Sequence, residues 1–226
     1  DCAENCRVLQ INNPVLSSRD LMKIEGLHMP GLQAKKVSLL YYKNSSLALA
    51  LDRLFVACDK AYYAGANILI LSDRGVDENH IAIPSLLAVS AVQQYLVRTK
   101  KRTAISIILE SAEPRDVHHF ATLFGYGASA VNPYLAQDCI GELIAGGALN
   151  KDYYAAVDAY NKAILDGVMR IASKMGISSM QSYEGAQIFE AVGICRDVVD
   201  QYFTNTVSRV GGIGLQEINE AVLWRH

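Results

Sequence analysis

Short apolar runs alternate with longer amphipathic segments along most of this chain. The apolar runs lie at residues 37–42, 67–71, 104–109 and 128–131. Their length and their content of Val, Ile and Leu predict buried strands. Residues 47–64 carry apolar side chains at helical spacing, and Pro84 and Pro114 stand where two further helices are expected to begin. This alternation predicts an α/β fold of parallel βα units, forming either an open doubly wound sheet or an incomplete barrel.

The first 36 residues lack this alternation. They are punctuated by turn-forming residues, and Ser18 or Asp20 is placed to cap a short helix that ends before Gly26. The pattern predicts an irregular connector over residues 1–36, which leads into an α/β domain over residues 37–210.

Helical patterns dominate the second half of the chain. The longest covers residues 153–174 and is interrupted only by Gly167. Beyond it the sequence predicts a short strand near Ile177 and helices at residues 183–191 and 196–202. The glycine-rich residues 211–214 lack the spacing of a nucleotide-binding loop and predict a flexible linker. With a short terminal helix they form an exit segment over residues 211–226.

The balance of charged residues argues against two classes of function, nucleic-acid binding and binding to anionic lipid. Among 226 residues, 21 basic and 23 acidic side chains give a formal net charge of −2, with no block of like charge. Such a chain lacks the basic surface that binds nucleic acid or anionic lipid, so neither is expected as a partner. No run approaches the roughly 18 apolar residues of a membrane span, and the first residues lack the pattern of a signal peptide. The sequence therefore predicts a cytoplasmic protein without membrane contact.

Two residue pairs invite a metal-binding interpretation. Cys2 and Cys6 have the spacing of half a metal site, but no second cysteine or histidine pair follows at suitable spacing. His118 and His119 are adjacent, and on a helix their side chains diverge by about 100°. We expect one histidine to pack inward, against a backbone carbonyl or the Glu110 region, and the other to contact a neighbouring domain. No metal site is expected.

Polar side chains follow the second and third apolar runs, where the predicted strands end. The candidate rim residues are Asp73, Arg74, Glu110, Arg115, His118 and His119. Carboxyl ends of parallel strands share one edge of a sheet, where ligands of α/β proteins collect. Two interpretations remain: a site for a small anion or carbonyl built on the arginines, or salt bridges that tie loops together.

Four stretches of the chain have sequences that local rules of helix and strand formation do not explain. They are KMGISSMQSYEGAQIFEAVG at residues 174–193, NILILSDR at 67–74, ESAEPRDVHHFA at 110–121 and GYGASAVNPYLA at 125–136. In type and in order they resemble the central region of glutamate synthases. The resemblance covers nearly the whole chain but a small part of that family's much longer polypeptide, and it favours a barrel-like central domain.

The resemblance implies a connecting role. In glutamate synthases a glutaminase domain and an FMN-dependent synthase domain flank the central domain. The parent enzyme transfers the amide nitrogen of glutamine to 2-oxoglutarate, with electrons from NADPH, NADH or ferredoxin. Because FMN and the iron–sulfur cluster belong to other parts of the parent, no cofactor and no catalytic residue is expected in this chain.

The resemblance also implies partners. They are the glutaminase and FMN domains of the parent chain and, through the parent, a small subunit or ferredoxin. Separated from these domains, the chain is expected to expose docking patches that permit self-association.

Glutamate synthases also pass ammonia through an internal tunnel. By resemblance, the polar side chains of the first stretch are candidates for the tunnel wall or a domain interface: Lys174, Ser178, Ser179 and Gln181. The alternative to the connecting role is an independent barrel-like enzyme or small-anion-binding domain that uses the rim at Asp73, Arg74, Glu110 and Arg115.

Overall fold

The computed structural model describes residues 8–27, 29 and 31–226, so Cys2, Cys6 and the start of the predicted connector lie outside the described residues. In chain order the elements are α1 (Ser18–Glu25), β1 (Ala34–Ser38), β2 (Leu40–Tyr42), α2 (Leu47–Tyr63), β3 (Ile68–Ser72), β4 (His80–Ala82), α3 (Ser85–Arg98), β5 (Ser106–Glu110), α4 (Val117–Gly125), β6 (Ala130–Asn132), α5 (Tyr134–Ala145), α6 (Tyr153–Lys174), α7 (Met180–Tyr183), β7 (Glu190–Ile194), α8 (Arg196–Tyr202), β8 (Val207–Ile213) and α9 (Leu215–Arg225). Within the described ranges no helix is long and apolar enough to cross a membrane.

Four parallel strands form the central sheet, in the order β1-β3-β5-β6. This order follows the chain and does not reverse, as it would in a doubly wound sheet. The described strands do not close into a barrel. The predicted α/β class with a parallel sheet is confirmed, and the four-stranded sheet is open.

The two faces of the sheet are covered differently. Successive strand residues point to opposite faces. Leu69 and Ile107 belong to the larger core, which they share with α2, α3 and α4. Ile70 and Ile108 face the other way and pack with Leu21 of α1. Helix α1 therefore lies on the side of the sheet that would become the interior of a closed barrel.

The N-terminal connector is more ordered than predicted, since α1 and the start of β1 fall within it. The cap of α1 is neither Ser18 nor Asp20: the hydroxyl of Ser17 accepts from the backbone N–H of Asp20. The helix ends at Gly26, as the sequence predicts.

The prediction of one strand over residues 37–42 is wrong. The N–H of Leu39 donates to the carbonyl of Ser72, and its own carbonyl accepts from the N–H of Ile83. The chain leaves the main sheet there, and β2 pairs antiparallel with β4. Strand β4 has three residues, too few to show a periodic pattern.

Helix α4 begins later than Pro114 suggests. The carboxylate of Asp116 accepts from the backbone N–H groups of His118 and His119 and fixes the first turn. The predicted helices at residues 153–174 and 196–202 are confirmed as α6 and α8.

Three predictions near the C-terminus are wrong. The predicted helix at residues 183–191 is an irregular segment followed by β7, because Gly185 has a φ of 74° and its N–H donates to the carbonyl of Gly125. Ile177 lies in the turn after α6, and its N–H donates to Ala172 rather than to a neighbouring strand. Residues 211–213 are not a flexible linker, since they belong to β8, which pairs parallel with β7.

Candidate functional site

A row of polar side chains crosses the sheet at the carboxyl ends of its strands. The register places Ser72 beside Glu110 and Glu110 beside Asn132. By alternation these residues share the face on which α1 lies, and all three are buried. A carboxylate at this depth requires charged or hydrogen-bonding partners.

Glu110 has such partners on both carboxylate oxygens. Its Oε2 accepts from Ser72 Oγ at 2.6 Å and lies 2.9 Å from Lys36 Nζ, and its Oε1 accepts from Arg74 Nε. Lys36 also pairs with Glu25 at the end of α1. Burial acts to raise the pKa of Glu110, but the hydrogen bonds from Ser72, Lys36 and Arg74 outweigh it and lower the pKa. Glu110 is therefore ionised, and the positive charges of Lys36 and Arg74 compensate its negative charge.

Asp73 and Arg74 are held by other members of the same rim. Asp73 Oδ2 accepts from Ser111 Oγ at 2.6 Å and from the N–H of Ala112 at 3.0 Å. Burial raises the pKa of Asp73, and these hydrogen bonds only partly oppose the rise. The guanidinium of Arg74 lies 3.9 Å from the centre of the Tyr134 ring, in cation–π geometry. Burial and the charge of Asp73 raise the pKa of Tyr134, so its phenol stays protonated.

Arg115 does not join this cluster. Its side chain is exposed, and its backbone carbonyl accepts from Tyr160 Oη at 3.0 Å. Among the described residues, no ion pair links Arg115 to Glu110 or Asp73. The structure thus brings together three of the four candidate charged residues: Asp73, Arg74 and Glu110.

The two adjacent histidines lie apart from Glu110 as well. His118 is exposed, with its ring centre 6.1 Å from that of Phe189. His119 is half-buried; its Nδ1 accepts from the N–H of Arg115 and its Nε2 lies 3.5 Å from Asp116. Neither histidine shows the inward packing against the Glu110 region that the sequence suggested. Within the described ranges no cluster of three histidine, cysteine or acidic residues is arranged to hold a metal ion.

The tunnel and interface candidates lie elsewhere in the domain. Lys174, Ser178, Ser179 and Gln181 are all exposed. Ser179 caps α7 by accepting from the N–H of Ser182. The following segment packs against Gly125, near the amino end of β6, whereas the rim lies at the carboxyl ends of the strands. The two candidate groups are therefore at opposite ends of the sheet.

Packing explains much of the specific stretch at residues 174–193. Tyr183 is fully buried, and its hydroxyl donates to the carbonyl of Ala121 at 3.2 Å. A Cβ at Gly125 would stand 2.7 Å from the Phe189 ring, so any larger residue would force this ring to move. Arg102 pairs with Glu184 across the same junction. These contacts hold residues 183–189 against α4 and against the segment that precedes β5.

A second buried network was not predicted from the sequence. Gln137 Nε2 donates to the carbonyl of Leu16 at 2.9 Å, and Asn132 Nδ2 donates to the same oxygen at 3.0 Å. Gln137 Oε1 accepts from the N–H of Ser18. Val15 forms a parallel bridge to Val131. The N-terminal segment is thus fastened along the β6 edge of the sheet.

A groove of about 770 Å³ runs between α2 and the open edge of β1. Its lining includes Lys36, Arg53 and Lys60 on a largely apolar floor. Of the candidate rim residues, none lines this groove. The charged rim and the groove are therefore separate features that share Lys36.

Taken together, these features define an α/β structural domain whose charged rim is neutralised by its own side chains. The family model for the glutamate synthase central domain matches residues 1–195. The chain belongs to the glutamate synthase central domain family.

Curated relatives match nearly the whole chain. It is 47% identical to the glutamate synthase [NADPH] large chain of Bacillus subtilis, over 98% of this chain and 14% of that protein. Ferredoxin-dependent glutamate synthase 2 of Synechocystis is 38% identical over 99% of this chain and 15% of its own. A solved structure of DHODH from Eimeria tenella superimposes with a TM-score of 0.43 at 14% identity, over 70% of this chain and 38% of that one, which is too low to inform the site. The chain thus spans a small fraction of the relatives' length.

Proposed function

We propose that this chain is the connecting central domain of a glutamate synthase large chain. The observation that carries the proposal is the match of 98% of the chain to 14% of a large chain at 47% identity. In this proposal the parent transfers the amide nitrogen of glutamine to 2-oxoglutarate. FMN and the iron–sulfur cluster are held outside this domain, and a small subunit or ferredoxin supplies electrons to the parent.

The anchoring of both ends of the domain supports a connecting role. The N-terminal segment is fastened to the β6 edge through Val15. Helix α9 is fastened elsewhere: Tyr41 Oη donates to Asn219 at 2.7 Å, and Arg225 lies 3.5 Å from Glu113. Tyr41 belongs to β2, which follows the strand at the opposite edge of the sheet. Flanking domains attached to these ends would therefore be held at fixed, separate positions.

The ion pairs of the rim argue against a separate catalytic centre at this end of the sheet. An anionic substrate would need the positive charges of Lys36 and Arg74, and both are already paired with Glu110. Separating either cation from a buried carboxylate is costly, because the remaining charge would lose its compensation.

The exposed polar residues at the other end of the sheet are proposed to face the ammonia path or a domain interface. Hydroxyl and amide groups donate and accept hydrogen bonds without transferring a proton to ammonia. Ser178, Ser179 and Gln181 have this polar character, and their exposure, which Lys174 shares, leaves them free to contact a neighbouring domain.

A bulky substitution in the full-length large chain tests this function. Gln181→Trp adds volume without removing a helix cap. We expect glutamine-dependent glutamate formation to fall about tenfold, which corresponds to about 1.4 kcal/mol, while the rate with added ammonia stays unchanged. Asn150→Trp, at an exposed position in the loop between α5 and α6, is the matched control. Equal loss of both rates, or no loss of either, contradicts the tunnel role. Absence of glutamate synthase activity from the unsubstituted large chain, assayed with its small subunit or ferredoxin present, contradicts the proposed function itself.

A further inference from the structure

The outer edge of β1 has no strand beside it in the described part of the chain. Two hydrogen bonds fix which of its backbone groups face β3. The carbonyl of Gln33 accepts from the N–H of Ile68, and the N–H of Leu39 donates to the carbonyl of Ser72. Because backbone groups along a parallel strand alternate in direction, the odd-numbered residues of β1 bond to β3. The N–H and C=O of Lys36, at the middle of the strand, therefore point to the open side.

This edge forms one wall of the groove of about 770 Å³ beside α2. An extended peptide rises about 3.3 Å per residue, so it can lie along β1 and pair with the outward backbone groups. Its alternate side chains would then enter the groove. The floor that would receive them is apolar and includes Val37, Tyr41, Leu54, Ala57, Ala61 and Ile83.

The groove carries positive charge that the described residues do not compensate. Lys35 of β1 and two side chains of α2, Arg53 and Lys60, line the groove and are exposed. None of the three forms an ion pair within the described ranges, whereas Lys36 is already paired with two glutamates. The carboxylate of Asp77, the acidic group of the lining, accepts hydrogen bonds from the backbone of its own turn. The groove is therefore complementary to an acidic partner.

The position of these cations argues for an acidic strand rather than a second copy of the chain. Lysine on an edge strand ordinarily discourages pairing with another chain. Here cations line both walls of the groove, so they repel the β1 edge of a second copy and attract carboxylates. In the part of the chain that the structure describes, no strand carries more than one acidic residue. A second copy therefore does not supply the complementary strand.

We propose that the groove between β1 and α2 binds an extended, acidic segment of a partner polypeptide, which adds to β1 as a further strand. The backbone of this segment pairs with Lys36, its apolar side chains lie on the floor, and its carboxylates face Lys35, Arg53 and Lys60. The inference goes beyond the proposed function and does not depend on it.

Hydrogen exchange, followed by NMR, tests strand addition directly. The probe is a capped nonapeptide in which glutamate and valine alternate, added to the 226-residue chain. We expect the N–H of Lys36 to exchange rapidly in the free chain and about tenfold more slowly with saturating peptide, because it gains a hydrogen bond. The N–H of Val37, which faces β3, is the internal reference and should not change. A nonapeptide that alternates glutamate and proline has the same charge but cannot pair as a strand, so it should leave Lys36 unprotected.

Charge reversal tests the acidic character of the partner. Arg53→Glu combined with Lys60→Glu should weaken binding of the labelled glutamate–valine peptide about tenfold at low salt, measured by fluorescence anisotropy. Lys162→Glu, at an exposed position of α6, is the matched control and should leave the affinity unchanged. Thermal unfolding checks that each variant is folded. If the reversed pair does not unfold cooperatively, Arg53→Gln with Lys60→Gln replaces it and should also weaken binding.

Four outcomes overturn the proposal. The first is unchanged exchange at Lys36 with the glutamate–valine peptide at about 1 mM, a concentration that reveals even weak binding. The second is equal protection by the glutamate–proline peptide, and the third is an affinity that survives removal of both α2 cations. The fourth is protection of Lys36 in the full-length large chain without any peptide, which assigns the groove to another part of the same polypeptide.

Discussion

A single buried carboxylate organises the polar rim of this domain. Glu110 is buried, yet it accepts hydrogen bonds from a hydroxyl, an ammonium and a guanidinium group. These partners lie in β1, in β3 and just after β3, so the ionised carboxylate of β5 connects β1, β3 and β5 at one end of the sheet. Because both cations are about 43% exposed, solvent screens each pair and limits its contribution to stability.

Glu110→Gln tests the role of this charge. We expect the free energy of unfolding at pH 7 to fall by about 2 kcal/mol, because charge-assisted hydrogen bonds are weakened. The folded pKa of Glu110 lies below the ordinary value of 4.5. Its contribution is therefore complete above about pH 4.5 and is lost as the pH falls through the folded pKa. Urea unfolding from pH 3 to pH 7 should show the difference between variant and parent shrinking at low pH.

The matched control is Glu78→Gln, because Glu78 is exposed. It should change stability by less than about 0.5 kcal/mol. A difference for Glu110→Gln that is as large at pH 3 as at pH 7 would mean that packing, rather than charge, explains the effect.

At the scale of elements, close contacts between helices depend on glycine. Gly167 lies within α6, where glycine costs about 1 kcal/mol relative to alanine. A Cβ at this position would stand 2.5 Å from Cγ2 and 2.7 Å from Cγ1 of Val117 in α4. The close packing of α6 on α4 therefore explains a residue that the helical pattern alone treats as an interruption.

Gly167→Ala is expected to destabilise the fold by about 1 kcal/mol, because overpacking exceeds the gain in helix propensity. In a Val117→Ala background the two clashing methyl groups are gone, so the same substitution should no longer destabilise the fold, although the Cβ of residue 117 would still stand 3.2 Å away. Gly141→Ala in α5 is the control, since its Cβ would lie no closer than 3.5 Å to any neighbour, and it should stabilise. The double-mutant cycle is measured by urea unfolding. Stabilisation by Gly167→Ala in both backgrounds would contradict the proposed contact.

The sequence predicts elements whose signal is local and misses those that depend on distant partners. Helix α6 is predicted with its observed bounds because 22 residues carry a continuous period. Strand β8 was missed, since its glycines resemble a linker until β7 lies beside it. The rim residues also divide into those that the local sequence identifies and those that depend on distant partners. Glu110 and Arg74 follow strands and are recognisable, whereas the contribution of Lys36 depends on the pairing of β1 with β3.

At the scale of the whole molecule, the first described segment and the last helix are both fastened to the rest of the domain. The sheet is open and its strands follow chain order. Helix α1 fills the face that would line a barrel, and the buried network at Gln137 fastens the segment that precedes it. The C-terminal helix is tied near the rim, where His226 Nε2 lies 2.7 Å from the carbonyl oxygen of Asp77. In the proposed function, this anchoring gives the flanking domains fixed positions.

The most direct test is a titration of the purified 226-residue chain with FMN, 2-oxoglutarate and glutamine, followed by thermal unfolding. A ligand that binds the folded state raises the unfolding temperature. At a concentration of 100 times its Kd, it increases the free energy of unfolding by about 2.7 kcal/mol. A connecting domain with a self-neutralised rim predicts a cooperative unfolding transition that none of the three ligands shifts. A rise in the unfolding temperature that grows with the concentration of any of them would contradict this conclusion and place a binding site within the domain.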